Sequence, residues 1–459
     1  HVPITVPSHS SMFTSQIPTE HGALNNSSVL SSDHTTLAEL LHDTYRETFG
    51  FVSLGVLKQR FGVAQGFDRY EDDFQADWWK NAEEINEQIL PWLQRRRSEP
   101  FFLFAHYSDP HEPYAAPIRE YPAVVALVDG EAVGEFAADG TTATVDLPVG
   151  TSVIELVSGA NHSGQLLVLK NLRSRIEQDV VTCVSGCRER SPRPGTRQFV
   201  TQLPAKIEFN RDGSNSSALN SLRVQVNEVL SNEEAQERYR EEVEYLDDSL
   251  GVLLAAIEAA VPREETIVIL TSDHGEEFFE HGGFEHVRPL YNELLHVPFV
   301  AWGPGVPQAE MTGVTDSLDL LPTLLTNLDI GMTGDLQGEV LFADGHMTER
   351  DSTRGTFAEQ HHRGPFVRFS LLRGGKKRII NRHKETFAET VEFYPDGVGI
   401  EAHNRADEAG TTDIKALRAD IEAYRARAEA QFARIVGESE VTDLSDCDIE
   451  RLRLLGYVR

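Results

Sequence analysis

Two rhythms of apolar and polar positions alternate along this chain. In residues 1–116 short apolar runs are separated by polar connections. Residues 50–57 (GFVSLGVL) and 101–105 (FFLFA) read as strands, and the second is apolar throughout, as a strand buried on both faces would be. Between them, residues 77–94 place Trp78, Ile85, Ile89 and Trp92 on one helical face. The same alternation returns in 231–330. Residues 232–260 carry Val243, Leu246, Leu250, Leu253, Leu254 and Ile257 at helical spacing, 266–271 (TIVILT) reads as a buried strand, 298–302 as another, and 316–328 as a helix. Strands alternating with helices predict an α/β fold.

Residues 117–230 follow a different rule. Apolar runs at 124–127, 132–136, 142–147, 153–157 and 166–169 are short and β-rich, and Asp129-Gly130 and Asp139-Gly140 fall between the first three as turn pairs. Residues 188–196 and 210–217 read as loops rich in Pro, Gly and Ser. This stretch predicts an antiparallel module inserted into the α/β domain. Four segments follow: core, first part, 1–116; β-rich insertion, 117–230; core, second part, 231–360; and a C-terminal α+β subdomain, 361–459. The last holds strand-like 366–372 and 378–381, a charged helix at 412–436 and an amphipathic end at 446–457. No internal repeat is present.

Composition narrows the function. Lys+Arg is 42 and Asp+Glu 73, giving a formal charge of −31. A nucleic-acid binder carries the opposite imbalance. Within the basic residues Arg outnumbers Lys by 34 to 8, which fits a salt-adapted or high-GC source as well as an ordinary acidic protein. No run reaches the roughly 18 apolar residues that a spanning helix needs. Cys183, Cys187 and Cys447 form no disulfide framework, and Cys183–Cys187 is the bridge their spacing leaves open. The chain opens at His1 with neither initiator Met nor signal peptide, so the expectation is a processed or truncated N-terminus, with cytoplasmic and exported locations both open.

Three segments carry chemistry. The apolar run 266–271 delivers Ser272, Asp273, His274 and Gly275 at the end of a strand, where open α/β sheets bind ligands. Adjacent Asp and His there can offer a carboxylate oxygen and an imidazole nitrogen to a divalent cation. The run 101–105 is followed in the same way by His106, Asp109 and His111, with Pro110 and Pro113 stiffening the loop. Near the start, TVPSHSSMFTSQIPTEHG sets hydroxyls at Thr5, Ser8, Ser10 and Ser11 around His9, and Pro7-Ser8 suits a helix entry that could hold an anion. Each segment alone also fits a capped strand end, a turn or a Ser-rich loop.

Taken in order, these stretches resemble the sulfatase family of the alkaline phosphatase superfamily. The likeness includes QGFDRY, HYSDPHEPY, TSDHGEEFFEHGGFEHVRPLYNELLHVPF, the run through Gly305, LDLLPTLL and the closing IERLRLLGY. It implies an alkaline-phosphatase-like core with a mixed, mostly parallel sheet flanked by helices. It places Thr5 at the nucleophile position, where sulfatases have a Cys or Ser converted to formylglycine; Thr cannot be converted, so no formylglycine is expected. His9 stands in place of the usual Arg. Asp273 and His274, with Thr5, match the metal ligands, and His111 and His286 match groups contacting the oxyanion or leaving group. Ser53 and Gly55 occupy the place where many sulfatases carry a Lys and a His. The family's first strand, with its acidic ligands, precedes the nucleophile by tens of residues, so the expectation is that this stretch lies upstream of His1.

The resemblance thus implies a hydrolase or transferase of phosphate, phosphonate or sulfate esters that uses one divalent cation, Ca, Mn, Mg or Zn. Its partner would be a small-molecule, glycan or lipid ester, and its oligomeric state is not legible. Relatives with a Thr nucleophile, such as the lipoteichoic acid synthases, act on phosphoesters. The alternatives are an arylsulfatase-type enzyme and an inactive family member that grips a glycan or a partner. Arg288 and Lys376-Lys377 read first as ordinary surface charges, and alternatively as local positive charge for the site.

Overall fold

The computed structural model describes residues 2–426 apart from 45, 75–77, 96–98, 112–113, 115–122, 130, 138, 147–152, 159–164, 171–179, 190–195, 211–220, 229–231, 287–288, 312, 333, 335, 350–353, 362–364, 400, 402, 407–414, 416–417 and 425. Within 123–228 the description is mostly of backbone. The chain is mixed α/β and divides into two compact units, one of 1–108 with 248–459 and one of 109–247.

In the first unit, strands Glu47–Phe51, Arg69–Glu71 and Phe101–Ala105 form a parallel sheet with Glu47–Phe51 at its centre. Glu47–Phe51 is shorter than the 50–57 run predicted. After Phe51 the chain turns through Ser53 and enters a 3₁₀ turn, Gly55–Leu57. The helix of this region is Ala82–Arg95, and Ile85, Ile89 and Trp92 do share a buried face, packed on Phe49, Phe51 and Leu253. Trp78 does not join them. It precedes the helix with a positive φ of 57° and packs with Val6, Val52, Leu54 and Phe61. Gly55 permits this, since a Cβ there would lie 2.5 Å from Trp78 Cβ.

Strands Val268–Thr271 and Phe299–Trp302 pair antiparallel. The expected burial on both faces does not hold, because Leu270 and Val300 are exposed and Phe101–Ala105 is half-buried. Each of these strands has a single hydrogen-bonded neighbour among the described residues. Parallel pairing is confined, among the described residues, to the three-stranded sheet.

The run 316–328 forms a 3₁₀ turn, Ser317–Asp319, then helix Leu320–Asn327. Asp316 and Asp319 cap the entry reciprocally. Leu321 and Leu325 pack on Leu37, Leu40 and Leu41. A four-stranded antiparallel sheet, Thr356–Gln360, Phe366–Arg373, Lys376–His383 and Glu389–Tyr394, closes this unit. Of the predicted helix at 412–436, Lys415, 418–424 and Ala426 are helical; the rest of it and 446–457 lie outside the described residues.

The second unit contains an eight-stranded antiparallel sheet. Five of its strands fall where the apolar runs predicted, from Ala123–Val128 to Gln165–Lys170. Ala123–Val128 and Glu131–Ala137 form the expected hairpin through Asp129, at φ 52°. Asp139-Gly140 is not a hairpin turn. It begins the strand Asp139–Asp146, which pairs with Ser221–Glu228 at the far edge from Glu131–Ala137. Three further strands, Val180–Glu189, Thr196–Asn210 and Ser221–Glu228, have no counterpart in the predicted runs. Residues 190–195 and 211–217 of the predicted loops lie outside the described residues. Cys183 and Cys187 both sit on Val180–Glu189.

Candidate active site

The helix Thr5–Thr14 is buried along all ten residues. Pro7 lies in its first turn, where a missing N–H costs no helical bond. Val6 N–H donates to Asn26 Oδ1 at 2.8 Å, satisfying one donor of that turn. Thr5 is 2% exposed. Ser8 Oγ donates to the Asp273 carbonyl oxygen at 2.8 Å, across 265 positions of sequence. His9 donates from Nδ1 to the Thr5 carbonyl oxygen at 2.8 Å.

Asp273 and His274 follow directly on strand Val268–Thr271. Gly275 lets the loop press against the short helix Asn292–Leu295: its N–H donates to Leu294 O at 2.9 Å, and a Cβ would lie 2.0 Å from Glu293 O. Asp273 Oδ1 accepts from the His274 N–H at 3.0 Å. Its Oδ2 lies 3.5 Å from His274 Nε2 and 3.8 Å from His9 Nδ1. Burial pushes the Asp273 pKa up, but His274, His9, His106 and His286 together outweigh it and hold the carboxyl well below its ordinary range. Burial also dominates at His9, lowering its pKa more than Asp273 and the Thr5 carbonyl raise it.

Two more imidazoles complete the cluster. His286 stacks on His274 with ring centroids 4.2 Å apart, and its Nδ1 is 3.1 Å from Glu276 Oε1 with both side chains buried. His106, which the sequence placed after the strand 101–105 without a specific role, lies 5.0 Å from the His9 ring. Ser53 Oγ is 2.9 Å from His106 Nδ1 and 2.8 Å from Ser108 Oγ. Ser8 and His106 were named in the chemistry-bearing segments, and Ser53 in the family resemblance, but none of them among the expected site residues. His106 carried a usable signal: it follows a strand's C-terminal end, as Asp273 does. His111 belongs to the second unit, where its N–H donates to Asp109 O and its own carbonyl accepts from Tyr114 N–H. Arg288 lies outside the described residues. Lys377 is no surface charge. It is 1% exposed and paired at 2.6 Å with Glu401, which corrects its reading as a source of positive charge for substrate.

The donor chemistry around Asp273 fits a cation. A carbonyl can only accept, so the 2.9 Å contact of His274 Nδ1 with Gly275 O places a proton on Nδ1. Nε2 then faces Asp273 Oδ2 at 3.5 Å, an imidazole nitrogen and a carboxylate oxygen that a divalent cation could share. The backbone bond on the other nitrogen is the usual support for a metal-binding His.

A second acid–histidine group lies apart. Ligand atoms of Glu277, His281 and Glu293 fall within 4.8 Å of one another, a spacing a metal could use. Here His281 Nδ1 is 2.7 Å from Glu293 Oε1 and Nε2 is 2.8 Å from Glu401 O, so two acceptors engage both nitrogens. Burial works to lower the His281 pKa, but the bonds to Glu401 and Glu293 raise it overall. The ring also stacks on Tyr291 at 3.7 Å. This group serves as a charged clamp between the 277–286 loop and the segment around Glu401.

The sulfatase family profile matches residues 1–330. The chain belongs to the sulfatase family. Members of this family generally depend on a divalent metal. Among curated relatives, this sulfatase-family chain is 22% identical over 367 residues to an N-acetylglucosamine-6-O-sulfatase of Bacteroides thetaiotaomicron, covering 73% of this chain and 61% of that protein. It is 36% identical over 96 residues to the low-salt glycan biosynthesis sulfotransferase Agl7 of Haloferax volcanii, covering 20% of this chain and 24% of that one. The matched region thus spans about three fifths of the first relative and a quarter of the second. In fold, the chain is similar to a phosphonate monoester hydrolase from Silicibacter pomeroyi, with a TM-score of 0.57 and 16% identity over 92% of this chain and 86% of that one. A structure solved with its substrate D-glucosamine-2-N,6-O-disulfate gives a TM-score of 0.54 and 16% identity over 94% and 89% of the two chains. Among the described residues no helix is long and apolar enough to cross a membrane.

Proposed function

We propose that the chain is a divalent-metal-dependent ester hydrolase or transferase in which Thr5 is the nucleophile. The observation that carries this reading is the joining of the first turn of helix Thr5–Thr14 to Asp273, through Ser8 Oγ at 2.8 Å and His9 at 3.8 Å. Asp273 and His274 would hold the cation, with Thr5 beside them. Bound there, it would make the Thr5 hydroxyl more acidic and offset charge on the ester.

The chain's own residues do the rest. Thr5 Oγ attacks phosphorus in line and gives its hydroxyl proton to water, the bond to the leaving oxygen breaks, and that oxygen takes a proton from an imidazolium. His286, whose Nδ1 is held by Glu276, is the candidate donor, acting as the imidazolium. The phospho-threonine is then cleaved by water or by an acceptor alcohol. Threonine has no second hydroxyl with which to expel sulfate, so phosphate or phosphonate esters are the favoured substrates.

A sulfuric ester is the second reading, favoured by the names of the relatives, which include a glycan sulfatase. One panel tests both: para-nitrophenyl phenylphosphonate, bis(para-nitrophenyl) phosphate and para-nitrophenyl sulfate, with added Mn²⁺, Mg²⁺, Ca²⁺ or Zn²⁺. The reading requires turnover on at least one ester, dependent on metal, and its loss in Thr5→Ala. Full activity of Thr5→Ala would remove the nucleophile assignment. No turnover anywhere, with saturable glycan binding, would instead mark a binding protein.

A further inference from the structure

Asn26 is 1% exposed, and one end of its carboxamide is engaged. Its Oδ1 accepts the Val6 N–H at 2.8 Å. A backbone N–H only donates, so the atom facing it is the oxygen and the orientation of the carboxamide is fixed. That N–H belongs to the peptide bond joining Thr5 to Val6. The carboxamide therefore lies against the backbone of the proposed nucleophile. Its other end, Nδ2, is buried and has no hydrogen-bond partner among the described residues.

The loop that carries Asn26 is tied down. Ser28 Oγ accepts the N–H groups of Leu24 and Asn25 at 3.1 and 3.2 Å, and Asn25 Oδ1 accepts the Ser27 N–H at 2.9 Å. Ala23 packs in the same apolar cluster as Val6. Buried donors almost always have acceptors, and one left open calls for a functional reason or a water. The helix favours an anion at the same turn. Thr5–Thr14 starts without a side-chain cap at Ile4, and Ser8 N–H is the donor that closes on Ile4 O at 3.0 Å. The Thr5 N–H thus has no acceptor within the helix, and the positive end of the helix dipole lies beside it.

We infer that Asn26 is a catalytic residue whose Nδ2 donates to a non-bridging oxygen of the group transferred to Thr5. This rests on the ester-hydrolase reading above. As Thr5 Oγ bonds to phosphorus, the non-bridging oxygens must be held against a donor that is already in place, because a fixed dipole needs no rearrangement during the step. The bond from Val6 N–H to Oδ1 supplies that fixity. No proton changes hands at Asn26, and the contact serves both formation and cleavage of the phospho-threonine.

The test uses the full chain with para-nitrophenyl phenylphosphonate and added divalent metal. Asn26→Asp keeps an oxygen for the Val6 N–H and the shape of the side chain, but puts an acceptor where Nδ2 stood. It should fold and lose about 10²–10³-fold in kcat, the range for one lost oxyanion donor. Asn26→Ala should lose turnover to a similar extent and, lacking the oxygen, should also melt earlier. A crystal structure of the wild type with metal and orthovanadate should place Nδ2 about 2.7–3.1 Å from a vanadate oxygen. Turnover of folded Asn26→Asp within a few-fold of wild type overturns the assignment and marks Asn26 as a helix cap alone. A vanadate complex in which Nδ2 meets only a buried water or a protein acceptor overturns it too, and decides the matter if the variants misfold. In both cases wild-type turnover leaves the ester-hydrolase reading standing. A wild type that turns over none of the esters named above sinks that reading and takes this inference with it.

Discussion

Replacing Gly275 by Ala tests whether the placement of Asp273 and His274 depends on the contact beneath them. The new Cβ would sit 2.0 Å from Glu293 O and 3.0 Å from Glu293 C, and real Cβ contacts do not fall under 3.0 Å. The loop must therefore retreat by at least about 1 Å, weakening the 2.9 Å bond from Gly275 N–H to Leu294 O. Asp273 and His274 immediately precede the displaced residue, so they move with it. Overpacking of this kind costs about 1–3 kcal/mol, and a displacement of about 1 Å can lower a rate by about 10²-fold. Gly275→Ala should thus fold with reduced stability, bind divalent metal more weakly by titration calorimetry, and lose about two orders of magnitude in kcat/KM. Urea denaturation separates the two effects, because a folded variant with a modest change in midpoint should still show the kinetic loss. Wild-type metal affinity and turnover in a folded Gly275→Ala variant would refute the claim that this close approach positions the pair.

Three further outcomes follow from the same geometry. Thr5→Ser should keep measurable turnover on the phosphonate ester while Thr5→Ala loses it, since Ser supplies the same hydroxyl; parallel kinetics decide this. Lys377→Met strands the buried Glu401 carboxylate and should lower stability by roughly 3–5 kcal/mol, with Lys377→Met/Glu401→Gln recovering part of it in urea titrations. The clamp at His281 should weaken as pH rises. Its folded pKa is raised, so its contribution is complete below the unfolded value of about 6.5 and is lost as pH passes through the higher folded value. His281→Gln should flatten that arm of the stability–pH curve measured by thermal melts.

The local alphabet of this chain was legible without coordinates. The run 101–105, the helix Asn232–Ala260 and the first five strands of the 123–170 region follow as elements from apolar periodicity, although of the helix's expected apolar face Leu253 is buried and Val243 is exposed. Asp273, His274, Thr5 and His9 were legible as chemistry through their neighbours in sequence. Partners distant along the chain were not. Trp78 reads as part of a helical face, but packing behind Gly55 sends it elsewhere. Asp139-Gly140 has the composition of a turn, yet pairing with Ser221–Glu228 makes it strand. Lys377 looks like a surface charge and is a buried ion pair. His106 gains meaning only beside Ser53 and His9, which the parallel register and the buried helix bring to it. Periodicity is a property of neighbours a few bonds apart, whereas burial, hydrogen bonding and the field around a carboxylate depend on groups that meet only when the sheet and helices pack.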